Sequence, residues 1–258
     1  MERFVIAIDG GNSVKNGDCQ ITKRLEDVFA GTGKIISENE VALVLMNMEN
    51  KYTDMQSILE TLNNYDRVKY INGYSRDIIS IFTRVEVGDP KRIDVNEDSG
   101  MADRNSVEGP HSSYKGDYLE PVDILEKSAI MALMADGYLP LISAPGAPVV
   151  KNLQYYRFIK GNVDPNMYSS LLATLLEADT LMIIADVPLK SINTWHNNNG
   201  GVIKINYKDL QERYASGYYR DTGFSSMIKA IISFISKGGR RSLIIPAGSM
   251  DSGIEISH

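Results

Sequence analysis

The chain has 258 residues, 43% of them hydrophobic and 23% charged, with 27 Lys and Arg against 33 Asp and Glu and a net charge of −6. That is enough to bury a sizeable core, as one globular unit or two tightly joined lobes, without disulfides or metal staples. A single cysteine, Cys19, and three histidines, His111, His196 and His258, exclude a disulfide framework, a cysteine zinc cluster and a His-rich metal site.

The acidic balance and the lack of a basic cluster argue against nucleic acid and anionic membranes as partners, because both are bound through Lys and Arg. A cytoplasmic protein with a small-molecule site is the expectation. The apolar part of the opening, FVIAI after Met-Glu-Arg, is short for a signal peptide and reads as a first strand over 4–8. No apolar run reaches the length of a membrane span.

A helix is predicted over 19–30, a strand over 41–45, a helix over 54–64 and a strand over 68–70. The stretch 86–118 is polar and poor in large aliphatics, which reads as an exposed loop or a lid. Apolar spacing at Ile124, Leu125, Ile130, Leu133 and Met134 predicts a helix over 122–136, stopped by Gly137. A strand over 139–143 follows, then a helix over 166–177, a strand over 181–184, helices over 208–216 and 224–237, and a strand over 243–245. Met134, Met167 and Met227 fall on apolar helix faces and are read as core packing. Continuous apolar strands alternating with helices predict an α/β class, a sheet covered on both faces.

Four segments in order resemble the amino acid kinase superfamily, and carbamate kinase within it. They are FVIAIDGGNSV near the start; LEPVDILEKSAIMALMADGYLPLISAPGAPVV at 119–150; VDPNMYSSLLATLLEADTLMIIADVPLKSIN at 163–193; and YASGYYRDTGFSSMIKAIISFISKGG at 214–239. A fainter likeness is FTRVEVGDPKRI at 82–93, and Ser252-Gly253-Ile254 is similar to the family's closing turn. The resemblance implies a three-layer α/β/α sandwich with a mainly parallel central sheet. One domain over 1–258 would divide into an acceptor lobe over about 1–155 and a nucleotide lobe over about 156–258, with a reduced lid over about 86–118. It further implies a homodimer using ATP and Mg²⁺.

By the same resemblance, Gly10, Gly11, Lys15 and Gly146 would hold phosphate, Asn12, Asp164 and Lys229 would be catalytic, and Asp186, Val187 and Asn193 would face the nucleotide. Glycine turns suit this role because their N–H groups can approach phosphate oxygens closely.

Phosphoryl transfer depends on cations and N–H donors placed against developing charge, and it is there that the chain departs from the family. The family's Asp-Lys-Asp becomes Asp164-Pro165-Asn166, which exchanges a cation for a ring without an N–H. A gapless alignment on Phe234 and Gly238-Gly239 puts Met227 where a lysine belongs, and Lys229, two residues on, is turned by about 200°. Lys229 substitutes if the helix starts in another register; otherwise it is a solvated helix charge. The glycine run becomes Ser143-Ala144-Pro145-Gly146, and the family's His-Gly-Asn-Gly turn has no counterpart in LVLMNMENKYTDM. Lys15 is a phosphate cation or a surface turn residue, Trp195 stacks on a base or packs, and Asp9 before the glycines needs Mg²⁺ or Lys15 to offset its charge.

Three functions therefore compete. The chain is an ATP-dependent kinase acting on carbamate or another small carboxylate, or a non-catalytic relative binding a nucleotide or anion. The third, an actin-like ATPase suggested by AIDGGNSVKNGD, lacks a second Asp-Gly hairpin and leaves 119–239 unexplained.

Overall fold

The computed structural model describes residues 1–9, 20–46, 67–71, 79–85, 118–143, 147–151, 156–158, 162–185, 202–220, 224–246 and 252–258. The predicted helix over 54–64 and nearly all of the 86–118 stretch lie outside them.

The larger of two sheets has eight strands. These are β1 (Arg3–Asp9), β2 (Glu40–Met46), β3 (Val68–Ile71), β6 (Leu139–Ser143), β10 (Thr180–Ala185), β11 (Val202–Asn206), β12 (Arg241–Pro246) and β13 (Gly253–Ser257), in the order β11-β13-β12-β10-β1-β2-β6-β3. The six strands from β12 to β3 are all parallel, and β13 turns antiparallel to β12. The second sheet has order β8-β7-β4-β5-β9, with β4 (Ile79–Val85), β5 (Tyr118–Ile124), β7 (Ala147–Lys151), β8 (Tyr156–Phe158) and β9 (Asn162–Val163). Among the described residues the helices are α1 (Gln20–Glu38), α2 (Lys127–Ala135), α3 (Pro165–Leu175), α4 (Tyr207–Ala215) and α5 (Ser225–Ser236).

The period-2 alternation of side chains on the central strands creates three layers. Val5, Ala7, Ala42, Val44, Leu181 and Ile183 point to one face, where they pack with α2 to α5 through Ile130, Met134, Leu172, Leu210, Ile228 and Phe234. Phe4, Ile6, Ile8, Leu43, Leu45, Met182 and Ile184 point to the other, against Val28 and Phe29 of α1. Both faces are dry, which is why these strands are apolar throughout. The α/β/α sandwich expected from the resemblance is the fold observed, and Met134, Met167 and Met227 are buried in it.

The helix expected over 122–136 is corrected. Its first residues, 122–124, are the end of β5 (Tyr118–Ile124), and the helix starts only at Lys127. Ile124 is fully buried from the strand, while Leu125 is 38% exposed, so the two do not share the helical face that their spacing suggested. Pro121 within β5 is accommodated by a bulge. The pairing with β4 jumps from Ile81↔Asp123 to Phe82↔Pro121, leaving Val122 unmatched and 47% exposed. The helix expected over 19–30 runs on to Glu38.

Charged side chains tie the starts of the parallel strands together. Arg3 of β1 donates through Nε to Glu40 Oε2 of β2 at 2.7 Å and through Nη1 to the Leu176 carbonyl at 2.7 Å, while its backbone N–H donates to Asp179 Oδ2 at 2.9 Å. Arg241 of β12 reaches Glu2 Oε2 at 3.0 Å and Thr180 Oγ1 of β10 at 3.1 Å. This clasp lies at the edge of the sheet opposite the strand C-termini.

Candidate functional site

Ligands of open parallel sheets bind beyond the carboxyl ends of the strands. Here that edge is formed by Asp9, Met46, Ile71, Ser143, Ala185 and Pro246, the last residues of β1, β2, β3, β6, β10 and β12. Helices α3 and α5 lead back into β10 and β12 through short turns, so their N-termini lie at this same edge. The Ser169 hydroxyl of α3, 3.3 Å from the Met46 sulfur, fixes the early part of α3 against the end of β2.

The start of α3 is built by the residues that break the family's Asp-Lys-Asp pattern. Asp164 is the N-cap in extended backbone, and its Oδ1 accepts from the N–H groups of Asn166 at 2.9 Å and Met167 at 3.3 Å. Pro165 occupies the first helical position, where a fixed φ is favourable and a missing N–H costs nothing. The exchange that the resemblance reads as a lost cation is thus a good helix start.

The other oxygen of Asp164 is used too. Ser226, in the first turn of α5, donates its hydroxyl to Asp164 Oδ2, and Asn166 Nδ2 donates to the Ser226 oxygen at 3.2 Å. Asp164, Ser226 and Asn166 therefore join two helix N-termini in one hydrogen-bonded chain. Phe224, the N-cap of α5, offers no side-chain acceptor, so the leading N–H groups of α5 face an edge where anions are favoured.

Lys229 follows Ser226 by three residues and so lies on nearly the same face of α5, about 60° away. Its Nζ is 4.0 Å from Glu120 Oε1, with both side chains 43% exposed. Glu120 belongs to β5, and the β5 to β9 pairing of Leu119 with Val163 puts it abreast of Asp164. Met227 is only 6% exposed and points into the core. Asp164 and Lys229 thus converge on one region, while Gly10, Gly11, Asn12, Lys15, Gly146, Asp186, Val187 and Asn193 lie outside the described residues. Asp9 closes β1 opposite Met46 of β2 at this same edge.

Sequence reasoning did not single out Ser226 or Glu120. A serine three residues before Lys229 at a helix start was the available signal for the first; the second was hidden by reading its neighbourhood as helix.

The pattern described as the amino acid kinase family matches residues 2–246. The chain belongs to the amino acid kinase family. Within it, the chain is 26% identical to carbamate kinase of Thermoplasma volcanium, over 95% of this chain and 93% of that protein. Among solved structures, carbamate kinase from Giardia lamblia bound to citric acid matches with a TM-score of 0.71 at 16% identity, covering 99% of this chain and 98% of that one. The same enzyme bound to AMP-PNP matches at 0.69 and 16%, with the same coverage. These structures bear on the fold, and the three-layer kinase architecture described above is theirs as well. No helix among the described residues is long and apolar enough to cross a membrane.

Proposed function

We propose that this protein is a carbamate kinase-like phosphotransferase that binds ATP with Mg²⁺ and transfers a phosphoryl group to carbamate or another small carboxylate. The observation that carries the reading is the meeting of the α3 and α5 N-termini through Asp164 and Ser226 at the carboxyl edge of the sheet. Two dipole ends, that of α5 without a side-chain cap from Phe224, suit the charge of a polyphosphate. The acceptor would lie on the side of the N-terminal lobe, over about 1–155, and the nucleotide on the other, over about 156–258. The reading extends to a cytoplasmic homodimer, as the resemblance implies.

The residues fit the nucleotide and its metal. Asp164 carries a carboxylate beside both helix starts, and Mg²⁺ held with phosphates needs only one or two protein carboxylates, a part Asp186 would share. When bound, ATP and Mg²⁺ supply the phosphoryl group and neutralise its charge. The chain's own part is to hold and orient. Gly10, Gly11, Asn12 and Gly146 offer donors to phosphate, Asp164 keeps α3 and α5 in register, and Lys229 or Lys15 supplies the cation that favours the transferring group. Asp186, Val187 and Asn193 line the nucleotide.

A second reading has observations of its own. Met227 is buried where the resemblance implies a lysine, and Lys229 is paired with Glu120. Both favour a relative that binds a nucleotide or small anion without transferring phosphate. One experiment separates the two. Full-length protein is incubated with ATP-Mg and carbamate while ADP is measured, alongside calorimetry with ATP. Carbamate-dependent ADP supports the kinase; ATP binding without ADP supports the binding protein; absence of both at millimolar ATP refutes each.

A further inference from the structure

We infer that Glu120 acts as a charge brake on this site, neutralising Lys229 and so holding down its affinity for the phosphates of a nucleotide. The inference rests on the phosphate-binding reading above and assigns a specificity-determining residue within it.

Three relations on different elements support it. Lys229 shares a face of α5 with Ser226, and Ser226 is bonded to Asp164 at the α3 start, so the ammonium belongs to the surface where the two helices meet. Glu120 comes from the other sheet, abreast of Asp164 through the β5 to β9 register. The carboxylate is 4.0 Å from the ammonium, beyond a hydrogen bond but close enough to cancel most of its field at a distance. The described ionic groups at this point are then two carboxylates, Glu120 and Asp164, and one ammonium. That balance is unusual for a surface meant to receive a polyanion. Among the described residues it gives the lysine two competing partners, Glu120 and the phosphate.

The pair is half exposed, so the competition is modest. Exposed ion pairs of this kind contribute up to about a fivefold factor in an equilibrium, and the Glu120 to Gln exchange, isosteric and at the surface, leaves the fold in place. Freed from its carboxylate, Lys229 can turn to the phosphate. The effect must therefore run through Lys229, and direct repulsion between Glu120 and phosphate would not require it.

The test is a double-mutant cycle on the full chain, with ATP-Mg binding measured by calorimetry at low salt for wild type, Glu120→Gln, Lys229→Met and the double variant. E120Q should tighten ATP by about two- to fivefold, and that gain should vanish in the K229M background and shrink as salt is raised. An E120Q variant that binds like wild type overturns the inference while leaving ATP binding standing. So does a gain that persists without Lys229, which would mark simple repulsion. If none of the four proteins binds ATP, the brake and the phosphate-binding reading fall together.

Discussion

Asp164 is the residue on which scaffold and chemistry can be separated most cleanly. Replacing it by alanine removes the acceptor of two α3 N–H groups and of the Ser226 hydroxyl at once. Loss of an N-cap side chain costs about 0.5–2 kcal/mol, and loss of a hydrogen bond to a carboxylate about 1.5–3 kcal/mol. Because the site is partly buried, a total of about 2–4 kcal/mol is expected for Asp164→Ala. For a chain of this size each kcal/mol shifts the melting temperature by about 2–4 °C, so the variant should melt about 5–15 °C below wild type.

Asp164→Asn should behave differently. Asparagine caps as well as aspartate and can turn its amide toward the Ser226 oxygen, so its cost should be about 1 kcal/mol or less. Scanning calorimetry of the three proteins decides the matter. An alanine variant melting within about 2 °C of wild type would refute the reasoning, since it would mean the carboxylate joins nothing of consequence. If D164N keeps its melting temperature yet loses carbamate-dependent ADP formation, the carboxylate has a chemical role beyond holding two helices together.

The strand-end clasp makes a second prediction. Arg3 and Glu40 have side chains 24% and 18% exposed, with Nη2 and Nε both on one carboxylate oxygen. Arg3→Met leaves that carboxylate and the Leu176 carbonyl without their donor, and should cost about 2–4 kcal/mol in thermal unfolding. Adding Glu40→Gln should recover part of the loss, and a single variant indistinguishable from wild type would refute the argument. A third prediction concerns alkaline pH. Burial pushes the Tyr219 phenol above its ordinary 10.0, with Tyr218 adding to the shift and Arg213 opposing it. A raised folded value means that the stability it contributes is complete below the ordinary value and is lost as pH rises through the folded one. Tyr219→Phe should therefore flatten the fall in melting temperature above about pH 10; equal slopes in the two proteins would count against the assignment.

The centre of the fold was legible because physics there is one-sided. Strands such as FVIAI and TLMIIA are buried on both faces and have no polar alternative. Strands in mixed surroundings were harder to read. β5 contains Glu120, Pro121 and Asp123, and only its pairing with β4 and β9, remote in sequence, makes it a strand. α1 runs past Gly31 and Gly33 because Val28 and Phe29 anchor it and Thr32 Oγ1 donates back to the Val28 carbonyl at 2.6 Å, so packing outweighs propensity. β11 and β13 are short and alternate, and they exist as a pair beside β12.

At the candidate site, resemblance pointed to Asp164 and Lys229 but not to what they touch. Pro165, read as a lost cation, is a helix start, and the partners Ser226 and Glu120 arrive from elements 62 residues downstream and across the second sheet. Such partners are set by topology, which no local pattern encodes.

The burial of Met227 bears on how this chain could be engineered. Methionine and lysine codons differ by a single base, so the lysine that the resemblance implies at this position is one genetic step away. Physically the step is long. An ammonium at that position would enter a pocket shaped for a thioether, lined by the aliphatic interior beneath α5, and would have to shed its proton or drag the helix outward. The buried position therefore resists a cation, and one is more readily placed on a residue of α5 that faces the edge.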